Sequence, residues 1–197
     1  MREYTLNDVV AAALKLYTVD KIEPCRESIL STLEKNNELP VELAEKAIQT
    51  ITYGVEMDIL RGRKVSSFVK SLYDELVNGI PKSYGVLAKV PNVYEQFKKK
   101  NQIAELAFSS KFVGTVGDKL QTSLSVITSR KINWDGGSFI SNLAADDDGN
   151  LYSFISKAIM LETQYKVKAK IKGHKEDSYN NMAKVTVLNY LKVLSDE

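Results

Sequence analysis

Apolar and cationic residues alternate strictly from Tyr165 to Lys172. An extended strand places alternate side chains on opposite faces, whereas an α-helix distributes them around its axis. One face of the predicted strand is apolar, with Tyr165, Val167, Ala169 and Ile171. The other face is cationic, and we call it the lysine row: Lys166, Lys168, Lys170 and Lys172. The segment therefore predicts one strand of a β-sheet with a basic outer surface.

Further strand patterns surround this segment. Phe139–Leu143 and Leu151–Ile155 flank Asp146–Asn150, which predicts a hairpin with a left-handed turn at Gly149 or Asn150. Ala183–Leu188 is rich in β-branched residues. Two earlier patterns, at 111–116 and 120–128, are separated by a Gly-Asp-Lys turn and form either two strands or one bent strand. Five short antiparallel strands suit a Greek-key barrel of the OB type.

Residues 1–106 have the apolar spacing of amphipathic helices. Thr5 is suited to cap the first helix, and Pro24 and Pro40 suit the first turns of the next two. Five helices are predicted over 5–17, 24–35, 40–61, 66–77 and 92–106, with a further short helix over 83–89. We therefore expect an all-α unit in this half of the chain.

A run of helices followed by a run of strands is typical of separate domains. We predict an α+β protein with segregated domains: a helical domain over 1–106 and a five-stranded, OB-like antiparallel β-barrel over 107–197. The junction has no linker rich in Pro, Gly or Ser. We therefore expect the two domains to pack together or to be joined by a stiff helix.

Charge is nearly balanced, because 27 Lys and Arg stand against 25 Asp and Glu, for a net charge of +2. Binding to a polyanion must therefore depend on local clusters of charge. The one cysteine, Cys25, excludes an intrachain disulfide and fits a reducing compartment. The sequence has neither a leader pattern nor an apolar run of membrane-spanning length. We expect a cytoplasmic protein without a membrane partner, in the host cytoplasm if it is phage-encoded.

Several short motifs occur in a characteristic order in the C-terminal half: Gly114-Thr-Val-Gly117, Asp147-Asp-Gly-Asn150, Tyr152-Ser-Phe154, Lys172-Gly-His-Lys-Glu176 and Thr186-Val-Leu188. This half resembles an OB-fold family of single-stranded DNA-binding proteins from phages and mobile elements. Two features depart from the family pattern: Asn180-Asn181 replaces a Gly-containing turn, and Tyr152-Ser-Phe154 stands where a Trp is common. The resemblance implies an OB fold and a role in DNA metabolism.

OB folds bind single strands by stacking bases on aromatic rings and pairing phosphates with basic residues. The candidate stacking rings are Trp134, in an expected loop, with Phe139, Tyr152, Phe154 and Tyr179. The predicted phosphate contacts are Arg130, Lys131, Lys157 and the lysine row. A small barrel must also be filled, and this favours a core position for Phe139 and Phe154. The lysine row has an alternative interpretation as a solvated outer face.

Other polar clusters have simpler interpretations. His174 is the single histidine and lies far from Cys25, so we predict a hydrogen-bonding role at a loop or strand end. Asp146–Asp148 could suit Mg²⁺ or Ca²⁺, but the Asp-Gly-Asn turn accounts for these residues, and we predict no metal and no cofactor. Arg61–Lys64 fits a helix C-terminus, and Lys98–Lys100 fits a solvated helix face; either could instead extend a nucleic-acid track.

No Ser-His-Asp order, Walker loop or dinucleotide glycine motif occurs, so we predict that the protein is not an enzyme. The leading hypothesis is a single-stranded DNA-binding protein of phage or mobile-element replication or recombination. Its helical domain would form a homo-oligomer or contact a replication or host protein. One alternative is a protein-docking module, such as a phage inhibitor of a host nucleic-acid-processing complex. A third is a degenerate nuclease or polymerase accessory subunit with a carboxylate-bound metal.

Overall fold

The computed structural model describes residues 4–35 and 38–194. The chain divides into two compact units, Met1–Lys98 and Lys99–Glu197, which we call the helical unit and the β-unit. The division falls inside the last helix, whereas the sequence pattern suggested a boundary after residue 106. Each unit has its own hydrophobic core.

Six α-helices lie in the described part of the chain: α1 (Leu6–Thr18), α2 (Arg26–Glu34), α3 (Val41–Leu60), α4 (Ser67–Asn78), α5 (Tyr84–Leu87) and α6 (Val90–Ser109). Local chemistry sets their ends. Thr5 Oγ1 accepts a hydrogen bond from Asp8 N at 3.2 Å, and Asp8 Oδ2 accepts one from Thr5 N at 2.9 Å. Thr5 therefore caps α1 as the sequence predicts, and the Asp8 carboxylate completes a capping box. Gly79, with φ of +71°, ends α4 in the left-handed conformation.

Helix α1 is the centre of the helical unit. Val9, Val10 and the three alanines that follow are fully buried, so α1 is covered on every side rather than along one stripe. The small alanine side chains allow neighbouring helices to approach it closely, and α2, α3 and α5 all contact it. The sequence correctly placed a helix here, but its apolar spacing had indicated a single buried face.

The β-unit contains five strands within the described residues: β1 (Lys119–Trp134), β2 (Gly137–Ala145), β3 (Leu151–Ser156), β4 (Gln164–Asp177) and β5 (Ala183–Val193). The sheet closes on itself in the order β1-β2-β3-β5-β4. Four pairings are antiparallel, but β3 and β5 pair in parallel over Leu151–Ser153. A closed ring with an odd number of strands cannot alternate direction throughout. The OB-like fold class is confirmed, and its fully antiparallel description is corrected.

The strands of the β-unit have apolar residues on both faces. The inner face forms a core inside the ring, with Leu124, Val126, Ala144, Tyr152, Phe154, Val167, Ala169, Ile171 and Leu188. A second cluster forms where Ile103, Leu106 and Ala107 of α6 pack against strand residues Ile127, Leu143, Ala145, Leu151, Ala183 and Val185. The last turns of α6 therefore cover part of the outer face of the sheet.

The segment before β1 differs from the prediction. The pattern at 111–116 predicted a strand, but residues 110–118 form a loop. Val113 N donates to Thr186 Oγ1 at 3.0 Å, and Gly117 N donates to Ile171 O at 2.9 Å, so single contacts replace a ladder. Gly114 has a φ of +65°, which breaks the extended conformation. Strand β1 is also longer than predicted and includes Trp134, which we had expected in a loop.

A helix that crosses a bilayer needs about 20 consecutive, mostly apolar residues. Within the described residues, no helix combines that length with that apolar character.

Candidate nucleic-acid interface

One outer face of β1, β2 and β3 gathers polar, cationic and aromatic side chains. Directly paired residues of antiparallel strands share a face. Arg130 pairs with Ser141, which pairs with Ile155. Alternate residues extend the same face along each strand. We call it the β1–β3 face and define it by Thr128, Arg130, Ile132, Trp134, Phe139, Ser141, Leu143, Ser153 and Ile155.

A groove of about 390 Å³ lies on this face. Its lining residues come from α6, the three strands, the end of β4 and the turn that follows it: Ile103, Thr128, Arg130, Ser141, Asn142, Leu143, Ser153, Lys175, Asp177 and Asn180. Arg130 and Lys175 bring two cations to the groove, and three of the strand residues bring hydroxyl groups. Asn180 Nδ2 donates to Asp177 Oδ2 at 2.9 Å. Such a mixture of cations and hydroxyls suits a phosphate-bearing ligand.

Two aromatic rings lie at the end of the face nearest the β1–β2 turn. The centroids of Trp134 and Phe139 are 5.4 Å apart and the rings are tilted by 53°. Trp134 is 53% exposed, and Phe139 is half-buried. The pair therefore offers an accessible indole ring that Phe139 supports from one side.

The turn between β1 and β2 explains the position of the indole. Trp134 pairs with Gly137, so only Asp135 and Gly136 connect the two strands. A Cβ atom at position 136 would lie 2.7 Å from Nε1 of Trp134. Glycine at this position lets the indole lie against the turn.

The lysine row is confirmed as an exposed face of β4. Its lysines are all exposed, while Val167, Ala169 and Ile171 between them are buried in the ring. The row continues along β4 through Gly173 to Lys175, which lines the groove on the β1–β3 face. Strand β4 therefore connects the cationic row to the groove.

Tyr152 and Phe154 do not belong to the accessible set. They are 1% and 4% exposed, because both side chains point into the core of the ring. Tyr152 Oη donates to Asp146 Oδ2 at 2.8 Å. The pKa of the Tyr152 phenol lies well above its ordinary value. Burial is the larger cause and the hydrogen bond to Asp146 is the second. These rings fill the β-unit and leave no face for a base, which corrects the prediction that they stack.

The remaining predicted contacts are dispersed. Lys131 is exposed, but it is paired with Ile140 and so faces away from the neighbouring Arg130. Lys157 is exposed just after β3 ends. Tyr179 lies in a short 3₁₀ turn between β4 and β5, and its side chain lies outside what the structure describes. The structure thus brings Arg130 and Trp134 together on the β1–β3 face, with the lysine row on a connected strand.

The polar clusters with simpler interpretations have identifiable partners. His174 stacks on Phe112 with centroids 4.7 Å apart, and its Nε2 lies 3.3 Å from Val113 O. Asp146 Oδ1 accepts from Asp148 N and Asn150 N, and Gly149 has a φ of +82°, as the turn prediction requires. Within residues 4–35 and 38–194, no three His, Cys, Asp or Glu side chains are placed to hold a metal ion.

The basic clusters near the helices are engaged in ion pairs. Arg63 lies 3.6 Å from Asp58. Lys98 lies 3.0 Å from Glu95, and Lys99 contacts Glu162. The Lys98 and Lys99 pairs are largely exposed and the Arg63–Asp58 pair is partly buried, so each pair contributes little to stability.

Three residues that were not predicted as site residues contribute to the surfaces described here: Ile155, Lys175 and Tyr190. Phe139 was expected in the core, yet it lies on the outer face beside Trp134. Lys175 does not follow the every-second-residue spacing of the lysine row in the sequence. The β4–β5 register shifts between Ile171 and Gly173, and this shift separates Lys175 from that spacing. Tyr190 is 78% exposed and lies beyond Leu188, where the predicted last strand ended. Residue composition alone does not predict a register shift of this kind.

Comparison of the chain with protein-family models, with curated protein sequences and with solved structures found no match. The OB-like description therefore depends on strand number, strand order and closure of the sheet.

Proposed function

We propose that the β-unit binds single-stranded DNA and catalyses no reaction on it. The observation that supports this most directly is the β1–β3 face itself, where Trp134 and Phe139 lie on the same surface as Arg130, and Lys175 lines its groove. Strands 2 and 3 of OB folds, with the adjoining loops, are the usual surface for oligonucleotides. Aromatic rings together with cations are the two components that single-strand binding requires.

In the proposed mechanism, an aromatic ring stacks on a base and cationic side chains contact phosphates. An unpaired base stacks on the exposed indole of Trp134, and this interaction contributes about 1–3 kcal/mol per base. Arg130 and Lys175 pair with phosphates in the groove, while the hydroxyls of Ser141 and Ser153 are positioned for sugar or phosphate oxygens. Duplex DNA keeps its base faces stacked internally, so the mechanism favours single strands.

The biological setting is proposed from the resemblance of the C-terminal motifs. On that basis, the protein serves replication or recombination of a phage or mobile element. The helical unit then provides a contact with a replication or host protein, or with a second copy of the chain. Exposed apolar side chains at the end of α3, Ile59 and Leu60, are compatible with such a contact.

The test is fluorescence anisotropy of a labelled oligothymidylate, with a duplex of the same length as the control. We expect micromolar or tighter binding of the single strand, weaker binding of the duplex, and a steep loss of affinity as salt rises. The chain has one tryptophan, so stacking on Trp134 should also quench the intrinsic fluorescence. Absence of binding at low salt would contradict the proposal and leave protein docking as the function to pursue.

A further inference from the structure

Two pairs of lysines stand directly opposite each other in the sheet of the β-unit. Lys119 of β1 pairs with Lys170 of β4, and Lys168 of β4 pairs with Lys192 of β5. Directly opposed residues have Cβ atoms about 4.5–5.5 Å apart, and like charges at this distance destabilise a sheet. Three adjacent strands therefore bring their cations to one place despite the mutual repulsion.

The repulsion is not offset by neighbouring carboxylates. In residues 4–35 and 38–194, none of these four lysines forms an ion pair. Other residues opposite β4 on this surface are uncharged, such as Gln121 opposite Lys168. The chain as a whole has almost as many acids as bases, so this local excess is not a result of composition. An anionic ligand would offset the repulsion.

An exposed aromatic ring accompanies the lysines. The register between β4 and β5 shifts between Lys168 and Lys170, and Tyr190 lies in the irregular part of β5. Tyr190 is 78% exposed and has a φ of +51°, an unfavourable backbone conformation for a bulky residue. Strain of this kind is often found at binding sites. Here it accompanies a phenol ring in solvent beside the cations.

We propose that this surface, comprising the lysine row with Lys119, Lys192 and Tyr190, is a second binding segment for the single strand that occupies the β1–β3 face. The inference builds on the proposed function. Alternate lysines along β4 are about 6.7 Å apart, a spacing similar to that of successive phosphates in an extended single strand. Strand β4 also carries Lys175, which lines the groove about 30 Å along the strand from Lys166. The ring of Tyr190 favours unpaired bases over a duplex or an anionic membrane.

The test compares two oligothymidylates, one of about four nucleotides and one of about sixteen, which bracket the sites of OB folds. The short oligonucleotide fits the β1–β3 face alone, whereas the long one can also reach the lysine row. We expect the wild-type protein to bind the long oligonucleotide more tightly by at least tenfold. The salt dependence of its binding should also be steeper, because more phosphates are neutralised.

The first variant combines Lys168→Gln with Lys170→Gln. It should weaken binding of the long oligonucleotide, reduce the slope of log K against log salt by about 1.4, and leave the short oligonucleotide unaffected. The matched control combines Lys46→Gln with Lys70→Gln, two exposed lysines of α3 and α4, and makes the same change in net charge. A second variant, Tyr190→Asn, removes the ring but suits the left-handed backbone. It should weaken only the long oligonucleotide, by roughly 5- to 100-fold.

The outcomes separate the two proposals. If the wild-type protein binds neither oligonucleotide, the proposed function fails. If it binds both with equal affinity, or if the lysine variant behaves like its control, the second segment is overturned while the proposed function stands. Equal weakening of both oligonucleotides by the lysine variant would also overturn a separate segment. Binding to phosphatidylserine vesicles that depends on Lys168 and Lys170, without an effect on the long oligonucleotide, would assign the surface to a membrane instead.

Discussion

Trp134 combines exposure with support from a neighbouring ring. Its indole is 53% exposed and lies against Phe139 and the Asp135-Gly136 turn. We expect Trp134→Ala to weaken single-strand binding by roughly 5- to 100-fold, because one stacking surface is lost. Trp134→Phe should retain most of the affinity, since it keeps a ring. Anisotropy titration measures both, and equal affinity of Trp134→Ala and wild type would contradict a stacking role.

Tyr152 has a structural role, and this gives a prediction about pH. Its phenol has a raised pKa in the folded state, because it is buried and donates to Asp146. In the unfolded chain the phenol titrates at about pH 10. The stability that the Tyr152 phenol contributes is therefore complete below that pH and is lost as the pH rises toward the folded pKa. We expect Tyr152→Phe to cost about 1 kcal/mol near pH 8 and less above pH 10.

Urea unfolding between pH 8 and pH 11 measures this difference in free energy. The same substitution at the exposed Tyr53 is the control and should have little effect at any pH. A difference between wild type and Tyr152→Phe that stays constant across this range would show that the phenol does not titrate differently in the folded state.

At the level of elements, substitution of glycine by alanine should have opposite effects on stability at two helical positions, Gly54 and Gly85. A Cβ atom on Gly54 of α3 would lie 2.3 Å from Cδ1 of Phe97, whereas one on Gly85 of α5 meets nothing within 4 Å. Alanine stabilises a helix by up to about 1 kcal/mol relative to glycine. Overpacking costs about 1–3 kcal/mol. Gly54→Ala should therefore destabilise the helical unit, and Gly85→Ala should stabilise it or leave it unchanged.

Thermal unfolding followed by circular dichroism at a helix-sensitive wavelength tests this pair. The prediction requires a lower midpoint for Gly54→Ala and an equal or higher one for Gly85→Ala. Stabilisation by both would mean that Phe97 moves aside at little cost and that close packing of α3 is not essential.

At the level of the whole molecule, the separate cores predict separable responses. Leu14 belongs to the core of the helical unit and Val167 to the core inside the β-ring, and the clusters share no residue. Leu14→Ala should cost about 2–5 kcal/mol in the helical unit. Its effect should appear in circular dichroism more than in the fluorescence of Trp134, which lies in the β-unit. Val167→Ala should show the reverse, and equal shifts in both signals for either variant would indicate one cooperative unit.

Several features were determined by the sequence alone. The alternation at Tyr165–Lys172 specified a strand with one basic face, because no other regular structure separates those two sets of residues. The cap at Thr5 and the left-handed turn at Gly149 or Asn150 were also predicted from the sequence, since each depends on a few neighbouring residues. Interactions between residues that are close in sequence set the type and the ends of each element. The order of helices followed by strands could therefore be predicted without knowing how the chain packs.

The tertiary structure decided which side of each strand became the interior. Leu151–Ile155 has apolar residues on both faces, so its period of two could not tell which face would line the core. The ring enclosed Tyr152 and Phe154, while α6 packed on the other side at Leu151. Closure of an odd number of strands imposed the parallel pair of β3 and β5. The β1–β3 face and the opposed lysines likewise depend on register between distant strands, which only the folded chain fixes.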